Sequence, residues 1–163
     1  MKTLLVLRHA KSSWNDSALA DHDRPLNERG ERDAPRIGDL VRQQRLTPTV
    51  IISSDAVRAR MTAEAVADAA GYAGEIRFEN LLYGASPDDI LVVLRAVEPN
   101  AGTVMIVGHN PGFEALVGHL TGERQDMPTA ALAQIELPID RWPELDESTR
   151  GTLVELWRPK ELE

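Results

Sequence analysis

The chain opens on a short apolar run, Thr3 to Leu7, that breaks off into Arg8 and His9. An uninterrupted apolar run of this length predicts a strand buried on both faces. Residues 11–26 are polar and turn-rich, with Asn15-Asp16, Asp21 to Asp23 and Arg24-Pro25, and predict a loop long enough to carry function. Asn27 is placed to cap a helix over about 28–44, with Ile37, Leu40 and Val41 on one apolar face and Pro35 in its first turns. Residues 49–54 predict a second strand. Asp55 is placed to cap an alanine-rich helix that runs to about Ala70 and stops at Gly71. Residues 74–79 predict a short third strand. Ser86, Pro87 and the acids after them mark a helix start over 86–97. Residues 102–109 are almost wholly apolar and predict a central fourth strand, followed by a helix from about Phe113 to Leu120. Residues 129–137 and 151–158 predict two late strands, a hairpin around a loop holding Pro138, Trp142 and Pro143.

Strands alternating with helices predict an α/β fold: a parallel or mostly parallel sheet covered on both faces, with the late strands as an antiparallel edge. No repeat, low-complexity tract or linker interrupts the pattern, so residues 1–163 read as a single domain, long enough to bury a core without staples. In such sheets ligands bind outside the carboxyl ends of the strands. Strand one ends in Arg8-His9. Strand two ends in Ser53-Ser54, with Arg58 one helical turn on, and strand four ends in Gly108-His109-Asn110. Two arginines and two of the four histidines therefore converge on one sheet edge.

Composition narrows what that edge can do. Hydrophobic residues make up 42% and charged residues 27% of the chain, a globular balance. The net charge of −8 argues against nucleic acid as a partner and makes a local positive cluster more informative. Cysteine is absent, which excludes a disulfide scaffold, thiolate zinc sites and a cysteine nucleophile. No apolar run approaches the ~18 residues of a membrane span, and the N-terminus lacks a signal-peptide pattern. A soluble cytoplasmic protein without a membrane partner is expected.

Histidine is poised near neutrality, and the planar fork of arginine matches phosphate oxygens. Two of each predict a pocket for a dianion. The arginines argue against a metal, and no H-x-x-x-H or H-x-D spacing occurs. Arg58 and Arg60 lie two apart on one helix and so point to different faces; Arg58, nearer the helix start, is the candidate and Arg60 reads as a solvated face. Gly108, Pro111 and Gly112 fix a tight turn around His109. His22 reads as a surface histidine or loop tether, His119 as a packed or surface helical residue, and Trp14, Trp142 and Trp157 as core or loop anchors.

The stretch "LRHAKSSWN" resembles the RHG motif of the histidine phosphatase superfamily, which includes the cofactor-dependent phosphoglycerate mutases. "SSDAVRARMTAEA" is similar to that superfamily's second block and "VGHNPG" to its third, in the right order and over most of the chain. The short length, "RHAKSSW" and "VGHNPG…PTAALA" resemble the SixA branch, whose members dephosphorylate phosphohistidine in proteins. The resemblance implies a three-layer α/β/α sandwich, phosphoglycerate mutase-like, and a mechanism without metal or other cofactor. It implies that His9 is the nucleophile and takes the phosphoryl group, and that Arg8, Arg58 and His109 bind phosphate and stabilise the transfer. Ser12 and Asn15 fall where related mutases carry polar phosphate-site residues.

Three residues depart from the family pattern: Ala10 for the glycine of the first block, Asp55 for a proline and Met61 for a glutamine of the second. Asp55 could cap the helix or sit near the arginines. The family's general acid, a carboxylate between blocks two and three, has Glu79 as its nearest candidate, with a strand-end surface carboxylate the equal alternative. An imidazole leaves phosphorus more easily than an alkoxide, so a weak acid here leans towards phosphohistidine on a protein domain. A phosphomonoesterase for a small sugar or nucleotide phosphate is the alternative within the same pocket, and a non-enzymatic phosphate or phosphoprotein binder is the alternative outside catalysis. Lys11 could extend the positive field towards an acidic partner or solvate the loop.

Overall fold

The computed structural model describes residues 1–162. Six strands, β1 (Lys2–Arg8), β2 (Val50–Ser53), β3 (Arg77–Phe78), β4 (Thr103–Gly108), β5 (Leu132–Leu137) and β6 (Thr152–Trp157), form one sheet in the order β3-β2-β4-β1-β5-β6. The first four are parallel and the last two antiparallel. Four helices cover it: α1 (Glu28–Gln43), α2 (Val57–Ala70), α3 (Pro87–Arg95) and α4 (Gly112–Thr121).

Strand side chains alternate between faces, and the apolar runs of β1 and β4 supply both. Leu5, Leu7, Met105 and Val107 pack with Ile37 and Val41 of α1 and Ala63 and Val66 of α2. Leu4, Val6, Val104 and Ile106 pack with the residues of α3 and α4, Leu94 and Leu116 among them. The expected three-layer α/β/α sandwich is the observed one, with β4 central between β2 and β1 and the late hairpin forming the antiparallel edge.

The ends of the elements follow local chemistry. Asn27 caps α1 by accepting from the Gly30 N–H, and Ser86 and Asp89 form a reciprocal capping box at α3. Gly71 ends α2 in the left-handed conformation at φ 73°. Pro35 stands not in the first turns of α1 but eight residues in, within a 16-residue helix. Asp55 does not cap α2. The cap position is Ala56, without a side-chain bond, because the Asp55 carboxylate is engaged by His22 Nε2 at 2.9 Å and by Asn80 Nδ2. Of the tryptophans, Trp142 is fully buried and donates to the Ala101 carbonyl, whereas Trp14 is 70% exposed. Among the described residues no helix is long and apolar enough to cross a membrane.

Helix α1 presses directly on the start of the loop that follows β1. A Cβ added at Gly30 would meet the Lys11 carbonyl oxygen at 2.2 Å, and Asn27 N–H donates to that same oxygen. Glycine there lets the helix seat the loop that carries Ser12 and Trp14. Gly30→Ala is expected to cost about 1–3 kcal/mol in chemical denaturation, the usual range for overpacking. Gly102→Ala, which meets nothing within 4 Å, serves as the control and is expected to stay within about 0.5 kcal/mol of wild type.

Candidate active site

Backbone bonds fix the carboxyl end of β1 on both sides. His9 N–H donates to the Gly108 carbonyl, and Ala130 N–H is shared between the Arg8 and His9 carbonyls. Ala130 adopts φ 62° to do so. Ala10 N–H donates to Thr62 Oγ1, which itself donates to the Arg58 carbonyl within α2. Apart from glycine, only Arg45 and Ala130 have positive φ among the described residues, so alanine fits at position 10 without strain. Pinned in this way, the Ala10 carbonyl lies 2.7 Å from Nδ1 of His9. A carbonyl accepts only, so Nδ1 carries the hydrogen and Nε2 keeps its lone pair.

His109 stands beside His9, ring centroids 5.1 Å apart. Its Nε2 is 2.8 Å from Ser54 Oγ. The Ser54 hydroxyl already accepts from Ala56 N–H, so its proton is free for His109 Nε2. The tautomer this selects carries its hydrogen on Nδ1, which is buried without a protein partner. The Nε–H groups of Arg8, Arg24 and Arg58 are likewise buried and unpartnered. Buried donors are normally satisfied. What suits the cavity to an anion is its lining, which carries the Arg8, Arg24 and Arg58 guanidiniums beside two neutral histidines.

That cavity, of about 300 Å³, is lined by Arg8, His9, Arg58 and His109 together with Ser12, Lys11 and others. The structure thus brings together the two arginines and two histidines singled out by strand-end position. Ser12 joins them, its hydroxyl accepting from Arg24 Nη2. Asn15 does not line it: it is exposed and lines an adjoining groove that shares Lys11, Ser12 and Trp14 with the cavity. Glu79 is also elsewhere. Its backbone pairs with Ser53, and its side chain lines a groove with Leu81, Val92 and Val97 against α3. Arg60 lies over the Phe78 ring, away from the site.

Three participants were not singled out from the linear pattern. Arg24 lines the cavity, stacked 3.3 Å over the Trp14 ring. Asp21 lines it as well and accepts from Arg58 Nη2 at 2.9 Å, Arg24 Nη1 at 3.2 Å and Tyr83 OH at 2.6 Å. Tyr83 also meets His109 and His22 edge-on. The turn "DHDRP" places Asp21 and Arg24 three residues apart; a pairing of opposite charges across a 3-10 turn was the available clue. Met61 ties the same loop down, its sulfur accepting from Leu26 N–H at 3.5 Å.

Burial, with the nearby cations adding to it, pushes the His9 pKa down to about 3 and that of His109 down to about 4. Both are neutral at physiological pH. The Tyr83 hydrogen bond, then Arg58 and Arg24, hold the Asp21 carboxyl below its ordinary range. His22 and Asn80 do the same for Asp55. Among the described residues, no group of three or more His, Asp or Glu side chains could hold a metal ion.

The depressed histidines make folding pH-dependent. The unfolded chain binds their protons below about 6.5 while the folded chain refuses them until about 3 and 4. Their contribution is therefore present above 6.5 and is lost as pH falls towards 3. The denaturation midpoint of the wild type is expected to drop more between pH 7 and pH 5 than that of His9→Gln/His109→Gln. Equal drops would refute the assignment.

Residues 4–83 match the profile of the histidine phosphatase superfamily (branch 1). An uncharacterized chloroplastic protein of Arabidopsis thaliana is 32% identical over 152 residues, covering 88% of this chain and 70% of its own. Two solved structures are similar throughout. One, from Nakamurella multipartitia and assigned as a SixA phosphohistidine phosphatase, has 29% identity and a TM-score of 0.86, covering 97% of this chain and 96% of its own. Another with the same assignment, from Agrobacterium tumefaciens, has 31% identity and a TM-score of 0.83, covering 97% and 98%. With profile, relatives and fold in agreement, the chain belongs to the histidine phosphatase superfamily and is a hydrolase acting on phosphoryl groups.

Proposed function

We propose that residues 1–163 act as one phosphatase domain that hydrolyses phosphohistidine on a protein, through a phosphoryl intermediate on His9. In this reading Nε2 of His9 attacks phosphorus as a neutral imidazole. Arg8, Arg58 and His109 donate to the phosphoryl oxygens, supplying the positioning and charge neutralisation that phosphoryl transfer needs. Ser12 acts through Arg24, whose guanidinium it anchors. Water then displaces His9 and releases phosphate, so one hard step becomes two easier ones. No metal or other cofactor enters.

One observation carries the choice of substrate. Asp21 is the one carboxylate lining the cavity, and its three donors keep it ionised. Glu79, the expected acid, lies in another groove. An alkoxide leaving group needs a proton from such an acid, whereas an imidazole already protonated on its other ring nitrogen departs as the neutral ring without one. The mouth also suits a protein surface: Trp14 stands 70% exposed there, with Lys11 beside it.

The test compares turnover of a phosphohistidine-bearing protein with that of a panel of phosphate monoesters, in EDTA, beside a His9→Ala control. Preference for the phosphohistidine protein by about 100-fold or more in kcat/KM, lost in His9→Ala, is expected, since acid catalysis typically contributes 10²–10⁴-fold to the esters that need it. Preference for the monoesters would overturn the reading and favour a small-molecule phosphatase.

A further inference from the structure

Asp21 is an unusual resident for a phosphate pocket. A carboxylate opposes an anion, and this one is bonded to Arg58, which the reading above assigns to phosphate. Its position shows what it could serve. His9 and Arg58 are 6% and 7% exposed and form the floor. The Asp21 side chain is 53% exposed, at the mouth. A phosphoryl group seated on the floor against His9 directs its leaving group outwards, to the level of Asp21.

The carboxylate has capacity left. A carboxylate can accept about four hydrogen bonds. Asp21 accepts from Tyr83 and Arg58 on Oδ2 and from Arg24 on Oδ1. One acceptor position remains, on Oδ1. The three donors also fix its rotamer, so accepting a fourth requires no rearrangement.

Resting on the phosphohistidine reading, we propose that Asp21 is the specificity-determining residue for the leaving group, its Oδ1 accepting the ring N–H of the substrate's phosphorylated imidazole. The chemistry balances. The substrate imidazole, phosphorylated on one nitrogen and protonated on the other, carries positive charge on its ring. As the bond from His9 Nε2 to phosphorus forms, the substrate N–P bond breaks and its electron pair returns to the ring nitrogen. The ring leaves as neutral imidazole, its other nitrogen still holding the proton. A carboxylate facing that N–H favours the protonated, better-leaving form. It offers nothing to an ester oxygen. The site then has a chemical symmetry: the Ala10 carbonyl holds the Nδ1–H of His9 as Asp21 holds the corresponding N–H of the substrate.

The test measures kcat and KM of wild type, Asp21→Asn and Asp21→Glu on a phosphohistidine-bearing protein and on p-nitrophenyl phosphate. For Asp21→Asn the ratio of phosphohistidine to ester kcat/KM is expected to fall by about tenfold or more, the worth of one hydrogen bond to a charged group. The fall lies in the phosphohistidine kcat, and Asp21→Glu restores part of it. A parallel loss on both substrates would assign Asp21 to placing Arg58 and Arg24 and overturn the proposal, as would an unchanged ratio. Should wild type fail to cleave phosphohistidine at all, the functional reading falls first, before the variants are compared.

Discussion

The hydrogen bond between His9 Nδ1 and the Ala10 carbonyl, 2.7 Å long, decides which nitrogen of the ring can react. It exists because Ala10 is held from below by Thr62 of α2, and because His9 is tied to Gly108 of β4 on one side and Ala130 on the other. Thr62 belongs to α2, Gly108 to β4 and Ala130 to the turn before β5. The tautomer of His9 is therefore set by its surroundings, the packed sheet and α2 among them, and not by its own loop alone. This is why an α/β sandwich serves such chemistry: rigid strand ends can present reactive groups in a fixed orientation.

The electrostatics follow from burial. Arginine cannot surrender its charge, so placing Arg8, Arg24 and Arg58 around one cavity leaves two ways of limiting repulsion. The histidines stay neutral, which burial and the neighbouring cations enforce. Part of the remaining charge is met by Asp21, bonded to two of the three arginines. A protein with net charge −8 thus keeps a cationic pocket whose histidines are neutral.

Much of this was legible in the chain. The apolar run at β4 announced a central strand, and the ends of β1, β2 and β4 named Arg8, His9, Arg58 and His109, because strand order places carboxyl ends together whatever the loops do. Loop chemistry was not legible in the same way. Asp55 reads as a cap by sequence, yet it is drawn off by His22 and Asn80, residues 33 and 25 positions away. Glu79 faces another groove, and Asn15 lines one that adjoins the cavity without lining the cavity itself. Asp21 and Arg24 belong to a turn whose role appears only once Arg58 and Tyr83 arrive from elsewhere. Local periodicity predicts elements; it carries no information on which side chains meet across 62 residues, as Asp21 and Tyr83 do.

The central claim is that His9 accepts phosphorus on Nε2 because Nδ1 is committed to Ala10. Reaction with a phosphohistidine-bearing protein, alkaline quenching and phosphorus NMR with peptide mapping would test it most directly. The account predicts phosphoryl label on His9 alone, at Nε2. Label on Nδ1, on His109 or on a residue other than histidine would contradict it.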